Sequence, residues 1–115
     1  MIDSKAIFKL AASWEGFALD VVISRLTARP EECFFWATHG GAELDLLVIR
    51  GNRRLAFEFK RTTAPTVTRS MRAALQSLGL EEIVVVHAGS RSFSLDRKIR
   101  AIPLERIFEQ VPPLP

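Results

Sequence analysis

Asp45, Glu58 and Lys60 are the residues of this chain whose types and spacing point to shared chemistry. Each sits among apolar neighbours, in Leu44-Asp45-Leu46-Leu47-Val48-Ile49 and in Phe57-Glu58-Phe59-Lys60. Charges inside such runs are less expected than charges at strand ends. Gly51-Asn52 separates two predicted strands, about Glu43 to Arg50 and Arg53 to Arg61. Glycine at the first central position suits a two-residue type II′ hairpin turn. That hairpin puts Arg50 opposite Arg53, Asp45 opposite Glu58 and Glu43 opposite Lys60. Residues two apart on a strand share a face, so Glu58 and Lys60 point the same way and Asp45 joins them from the neighbouring strand. Carboxylates directly opposite each other destabilise a sheet, and a divalent cation between them reverses the sign. Mg²⁺ or Mn²⁺ takes a few carboxylate oxygens and keeps water in its remaining positions. Asp45 and Glu58 are the expected ligands, and Glu15 is expected to approach from the first helix. A cation held there activates water and neutralises charge on a phosphodiester under attack. Lys60 stands on the same face to position the water or offset phosphate charge. The plainer alternative is a cross-strand ion pair of Glu43 with Lys60, and Asp45 paired to Arg54 or Arg61 on a solvent face.

The elements that must position these residues are legible in the same way. A helix is predicted from about Lys5 to Arg29, capped by Asp3 or Ser4 and ended by Pro30. Its apolar residues Leu10, Trp14, Phe17, Ala18, Val21, Val22 and Leu26 recur at helical spacing. Glu15 stands off the polar stripe, and a carboxylate turned toward a core needs a reason. Cys33 to Thr38 reads as a strand before Gly40-Gly41. After Pro65, the residues Val67, Met71, Ala74, Leu75 and Leu78 mark a second helix, and Gly79 is placed to end it. Ile83-Val84-Val85-Val86 reads as a buried central strand. Ala88 to Ser94 is expected to be a loop, Ile99 to Ile102 a last short strand and Leu104 to Gln110 a closing helical turn. The expected fold is therefore α/β (α+β): a mixed β-sheet flanked by helices, in the order α-β-β-β-α-β-(β). Residues 1–111 form one domain, and 112–115 an extended tail.

With 115 residues and 48% hydrophobic content, one modest core is expected. No apolar run approaches the roughly 18 residues of a membrane helix, and no secretion signal is visible. A single cysteine, Cys33, excludes an internal disulfide, and with only His39 and His87 as histidines a structural zinc site is not expected. The expected location is the cytoplasm. The net charge of +3 is modest, but between Arg50 and Arg72 seven cations accompany one acid, Glu58. Arg53, Arg54, Arg61, Arg69 and Arg72 are the candidate contacts to nucleic-acid phosphates. Trp14, Trp36 and Cys33 are read as core residues and His87 as structural.

Asp45, twelve intervening residues and then Glu58-Phe59-Lys60 resemble the D–(x)n–(D/E)xK signature of the PD-(D/E)xK nuclease superfamily. In that superfamily the Asp and the (D/E)xK motif lie on adjacent strands after a helix that often carries a Glu, the place of Glu15. Ser13-Trp14-Glu15-Gly16-Phe17, Phe35-Trp36, Gly41-Ala42-Glu43-Leu44-Asp45 and Phe57-Glu58-Phe59-Lys60 look like the C-terminal domain of prokaryotic AAA+ ATPases, from about Leu10 to Leu104. Two departures stand out: no Gly-x-x-x-x-Gly-Lys-Ser/Thr loop occurs in these residues, and Leu44 replaces the motif's Pro. The resemblance implies a restriction-endonuclease-like core and, as activity, Mg²⁺-dependent hydrolysis of DNA, with a homodimer as the usual assembly. The alternative it leaves open is a catalytically silent module, a remnant or accessory of an AAA+ ATPase, that binds nucleic acid or a protein partner.

Overall fold

The computed structural model describes residues 2–3 and 13–115. Seven strands form one mixed sheet, ordered β1-β2-β3-β4-β5-β7-β6. They are β1 (Ile2–Asp3), β2 (Cys33–Ala37), β3 (Glu43–Arg50), β4 (Arg53–Lys60), β5 (Glu82–His87), β6 (Phe93–Asp96) and β7 (Ile99–Pro103). Strands β4, β5 and β7 run parallel and the other pairings are antiparallel. Helix α1 (Trp14–Leu26) covers one face and α2 (Arg69–Leu78) the other, with α3 (Ile107–Gln110) closing the chain. The expected mixed sheet flanked by helices is thus the observed architecture.

Ser13 caps α1, its hydroxyl accepting from the Gly16 amide at 3.1 Å. The helix ends at Leu26, where its apolar spacing ends, and short of the Arg29 that Pro30 predicts. Thr27 takes the left-handed conformation at φ 57° and its amide closes on Ile23 and Ser24. The predicted first turns, residues 5–12, lie outside the described residues. Thr68 caps α2 through the Met71 amide, and Gly79 ends it at φ 61°, the backbone that favours glycine.

Sheet alternation divides the core in two. Leu55, Phe57 and Phe59 of β4 pack beneath Ala18, Leu19, Val22 and Leu26 of α1. Ala56 packs beneath Met71, Ala74 and Leu78 of α2, so Glu58 and Lys60 belong to the α2 face by period. β5 is apolar on both faces, as a central parallel strand must be.

One expectation changes. The predicted loop from Ala88 to Ser94 is shorter, because Phe93–Asp96 forms β6 against β7. Four residues flanked by Ser and Arg carry little strand pattern, and pairing to β7 supplies what the pattern lacks. The extended tail docks on the domain. The Leu114 amide donates to the Leu26 carbonyl at 3.1 Å, Leu114 is buried, and Arg50 donates to the Pro115 carbonyl at 3.0 Å.

Candidate functional site

Gly51 has φ 58° while Asn52 has none of the positive φ that a type I′ turn requires, which matches the predicted II′ hairpin. The β3–β4 ladder runs in the expected register from Arg50–Arg53 to Leu46–Phe57. There it stops, one pair short of Asp45 and Glu58. The cause lies on the other side of β3. Phe34 pairs with Leu47 but Trp36 pairs with Leu44, so Asp45 and Leu46 together oppose the single residue Phe35. This is a β-bulge. Leu44 accordingly joins Leu47 in the core under α2 while Leu46 joins Val48 under α1.

Beyond the bulge, side chains replace the ladder. The Asp45 amide donates to Glu58 Oε1 at 2.8 Å, and the Phe59 amide donates to Asp45 Oδ2 at 2.9 Å. Each strand thus holds the other's carboxylate by one oxygen. Among the described residues Asp45 Oδ1 has no hydrogen bond, and Glu58 Oε2 has Lys60 Nζ at 3.6 Å. The expected opposition of Glu43 and Lys60 does not form. Glu43 pairs with Ala37 of β2, and its amide donates to Ser70 Oγ at 3.2 Å, tying the splayed end of β3 to the first turn of α2.

The electrostatics follow from this geometry. Glu58 is 6% exposed. Burial, and then the charge of Asp45, push its carboxyl up to about 8, against the pull of the Asp45 amide and Lys60. Asp45 is also raised, first by burial, with Glu43 and Glu15 adding repulsion and the Phe59 amide and Lys60 opposing. Two carboxyls in one site do not ionise together without a cation.

Glu15, in the first turn of α1, is near enough to act on Asp45 through its charge. Among the described residues, however, no group of three or more His, Cys, Asp or Glu gathers to hold a metal ion. Asp45 and Glu58 are therefore the part of the expected ligand set that the fold joins. Their chemistry fits Mg²⁺: hard carboxylate oxygens, one on each residue that takes no backbone hydrogen bond among the described residues, and two protein ligands for an ion that keeps several waters.

The candidate phosphate contacts divide into two groups. Arg53 and Arg54 lie at the other end of β4, roughly 13–16 Å from Glu58 by strand rise. Arg53 forks onto Glu81 at 2.9 Å, and Arg54 donates to the Leu78 carbonyl at the end of α2. Their structural use accounts for their charge. Arg61 directly follows Lys60, and Arg69 opens α2. Both are exposed, and among the described residues neither has an ion-pair partner. Arg72, a turn further on, reaches Asp96 at 3.1 Å.

Trp36 and Cys33 are buried, as expected. Burial, with Glu32 and Glu31, lifts the Cys33 thiol to about 11, so it is no nucleophile. His87 is buried at the end of β5, its Nδ1 accepting from the Gly89 amide at 3.1 Å while Nε2 finds no partner. Burial lowers its pKa against the Arg91 backbone. What sequence reasoning missed is the bulge that turns Asp45 toward Glu58. The two residues opposite Phe35 were a signal visible only once β2 was paired.

The fold and site define a small mixed α/β domain with a carboxylate pair, one buried and one half-buried, and an adjoining lysine on splayed strands. The chain belongs to the family described as Domain of unknown function (DUF4143), whose model matches residues 10–107. It is 41% identical over 100 residues to "Uncharacterized protein Mb2031c" of Mycobacterium bovis, and equally to "Uncharacterized protein Rv2008c" of Mycobacterium tuberculosis. Each alignment covers 87% of this chain and 22% of the relative, so the chain spans about a fifth of the length of these relatives. No solved structure matches it.

Proposed function

We propose that this domain is a Mg²⁺- or Mn²⁺-dependent nuclease of the PD-(D/E)xK type that hydrolyses DNA phosphodiester bonds. The observation that carries the reading is the reciprocal clamp of Asp45 and Glu58. Buried Glu58 and half-buried Asp45 are fixed side by side, and among the described residues each keeps one oxygen free of hydrogen bonds to the backbone. A fold that needed only stability would not splay two strands to hold a repelling pair. When bound, the cation supplies neutralising charge at the phosphate and a lower pKa for attacking water.

The chain's own residues do the rest. Asp45 and Glu58 hold the ion's position, and the Asp45 and Phe59 amides fix their orientation. Lys60 offers its ammonium to the phosphate or the water. Arg61 and Arg69 take flanking phosphates, and Arg72 joins them by giving up Asp96. Glu15 would act from outside the pair, through its charge on Asp45. No described helix is long and apolar enough to cross a membrane. A buried free cysteine accords with a reducing cytoplasm.

The second reading is a catalytically silent module that binds DNA or a protein partner. It is favoured by the Lys60–Glu58 contact of 3.6 Å, which partly satisfies the site without a metal. The two are separated by incubating purified protein with plasmid, single-stranded and branched DNA in Mg²⁺ or Mn²⁺, with Lys60→Ala in parallel. The nuclease cuts at least one substrate, and the substitution lowers the rate by about 10²–10³. A folded protein that cuts none of them in either metal is the silent module.

A further inference from the structure

One cavity of about 460 Å³ lies outside the acidic site. Its walls are Trp14, Phe17 and Val21 of α1 and Leu104 and Phe108 from the C-terminal elements, with the chain after β5 as floor. The volume suits a small planar ligand. Phe17 is 61% and Phe108 57% exposed, and the Arg25 guanidinium lies 5.3 Å over the Phe108 ring. Exposed aromatic faces beside a guanidinium are the surface on which bases stack.

The lining also limits what can enter. Its one charged residue is Glu105, an acceptor that repels phosphate and welcomes the N–H edge of a base. The phosphate-binding charge lies instead on Lys60, Arg61 and Arg69. The two regions lie at the same end of the sheet. Trp14 precedes Glu15 in the first turn of α1, and β5 ends at His87, the register partner of Lys60.

We propose that this cavity is a base subsite: it receives an unpaired nucleobase of the strand whose phosphate lies at Asp45, Glu58 and Lys60. The inference rests on the nuclease or DNA-binding reading and deepens it. It names the substrate class as nucleic acid with a single-stranded or extruded base next to the phosphate held at the acidic site.

The test is fluorescence anisotropy in EDTA, where no strand is cut. It compares a mixed-sequence single-stranded oligonucleotide with an abasic strand of equal length. The base-bearing strand binds about tenfold more tightly. Phe17→Ala and Phe108→Ala, both at exposed positions, erase that difference and leave abasic affinity unchanged. Equal affinity for the two strands, or a base preference that survives both substitutions, overturns the subsite while the backbone reading stands. No affinity for either strand overturns both. Sedimentation of the same samples covers the other occupant. A dimer that the two substitutions dissociate, with base preference intact, assigns the cavity to a second copy of the chain.

Discussion

Two glutamates in this molecule are buried to nearly the same degree and behave in opposite ways. Glu32 is 7% exposed and Glu58 6%. Glu32 receives the Arg50 guanidinium as a fork, Nε and Nη2 each at 2.9 Å, and the Arg29 amide at 2.8 Å. The Arg50 hydrogen bonds, then the Arg29 amide, hold its carboxyl down at about 2. Glu58 has one amide, a lysine at 3.6 Å and a second carboxylate beside it, and it rises to about 8. Burial alone therefore does not set the state of a carboxyl; the balance of donors and neighbouring charge does. At Glu32 the donors match the acceptors, and Arg50 also binds the carbonyls of Thr27 and Pro115, so the group clamps β3 to the end of α1 and the tail. At Glu58 the donors fall short by about the charge of one cation. We read the first as architecture and the second as a site.

The sharpest way to break this comparison is Asp45→Asn. An amide oxygen still accepts from the Phe59 amide, so the clamp survives while the repulsion goes. Metal-dependent cleavage falls by at least about a hundredfold, while thermal stability in EDTA at pH 8 rises. A variant that loses both activity and stability would show that Asp45 serves the fold. Next in size is Arg50→Ala, which strands the Glu32 carboxylate and frees two carbonyls. The unfolding midpoint, followed by circular dichroism, drops on the order of 5–10 °C. Arg50→Lys recovers little, because a lysine cannot fork. Cleavage at temperatures where the variant is folded is unchanged.

How much of this was legible beforehand differs between the two regions. The hairpin could be registered from Gly51-Asn52, and Asp45, Glu58 and Lys60 stood out as charges within apolar strands. The bulge was not legible, because it arises from the pairing of β2 with β3 and leaves no mark in β3 itself. Glu32 and Arg50 were invisible as a pair. They lie on separate elements, and Arg50 read as one more cation in a basic window. The same window overstated the phosphate track, since an arginine that forks onto Glu81 or caps α2 looks identical in sequence to a free one. The docking of the tail was not legible for a related reason: Pro-rich composition hides the single apolar anchor, Leu114.

A smaller effect sharpens the contrast through pH. Glu58 has a folded pKa near 8 against an ordinary value of 4.5. A raised carboxyl contributes stability that is complete below about pH 4.5 and is lost as pH rises through about 8. Metal-free protein should weaken across that window by on the order of a few kcal/mol. Glu58→Gln should lack this slope. Glu32 has the reverse sign: its contribution is present above about pH 4.5 and is lost as pH falls through about 2. Urea unfolding at a series of pH values separates the two.

The claim that Glu58 and Asp45 form a cation site is tested most directly by titrating the Glu58 side-chain carboxyl by NMR, with and without Mg²⁺. The expected midpoint is near 8 in EDTA and falls below the ordinary carboxylate value in saturating Mg²⁺, with Asp45 shifting alongside. A midpoint near 4.5 that Mg²⁺ leaves unmoved would contradict it.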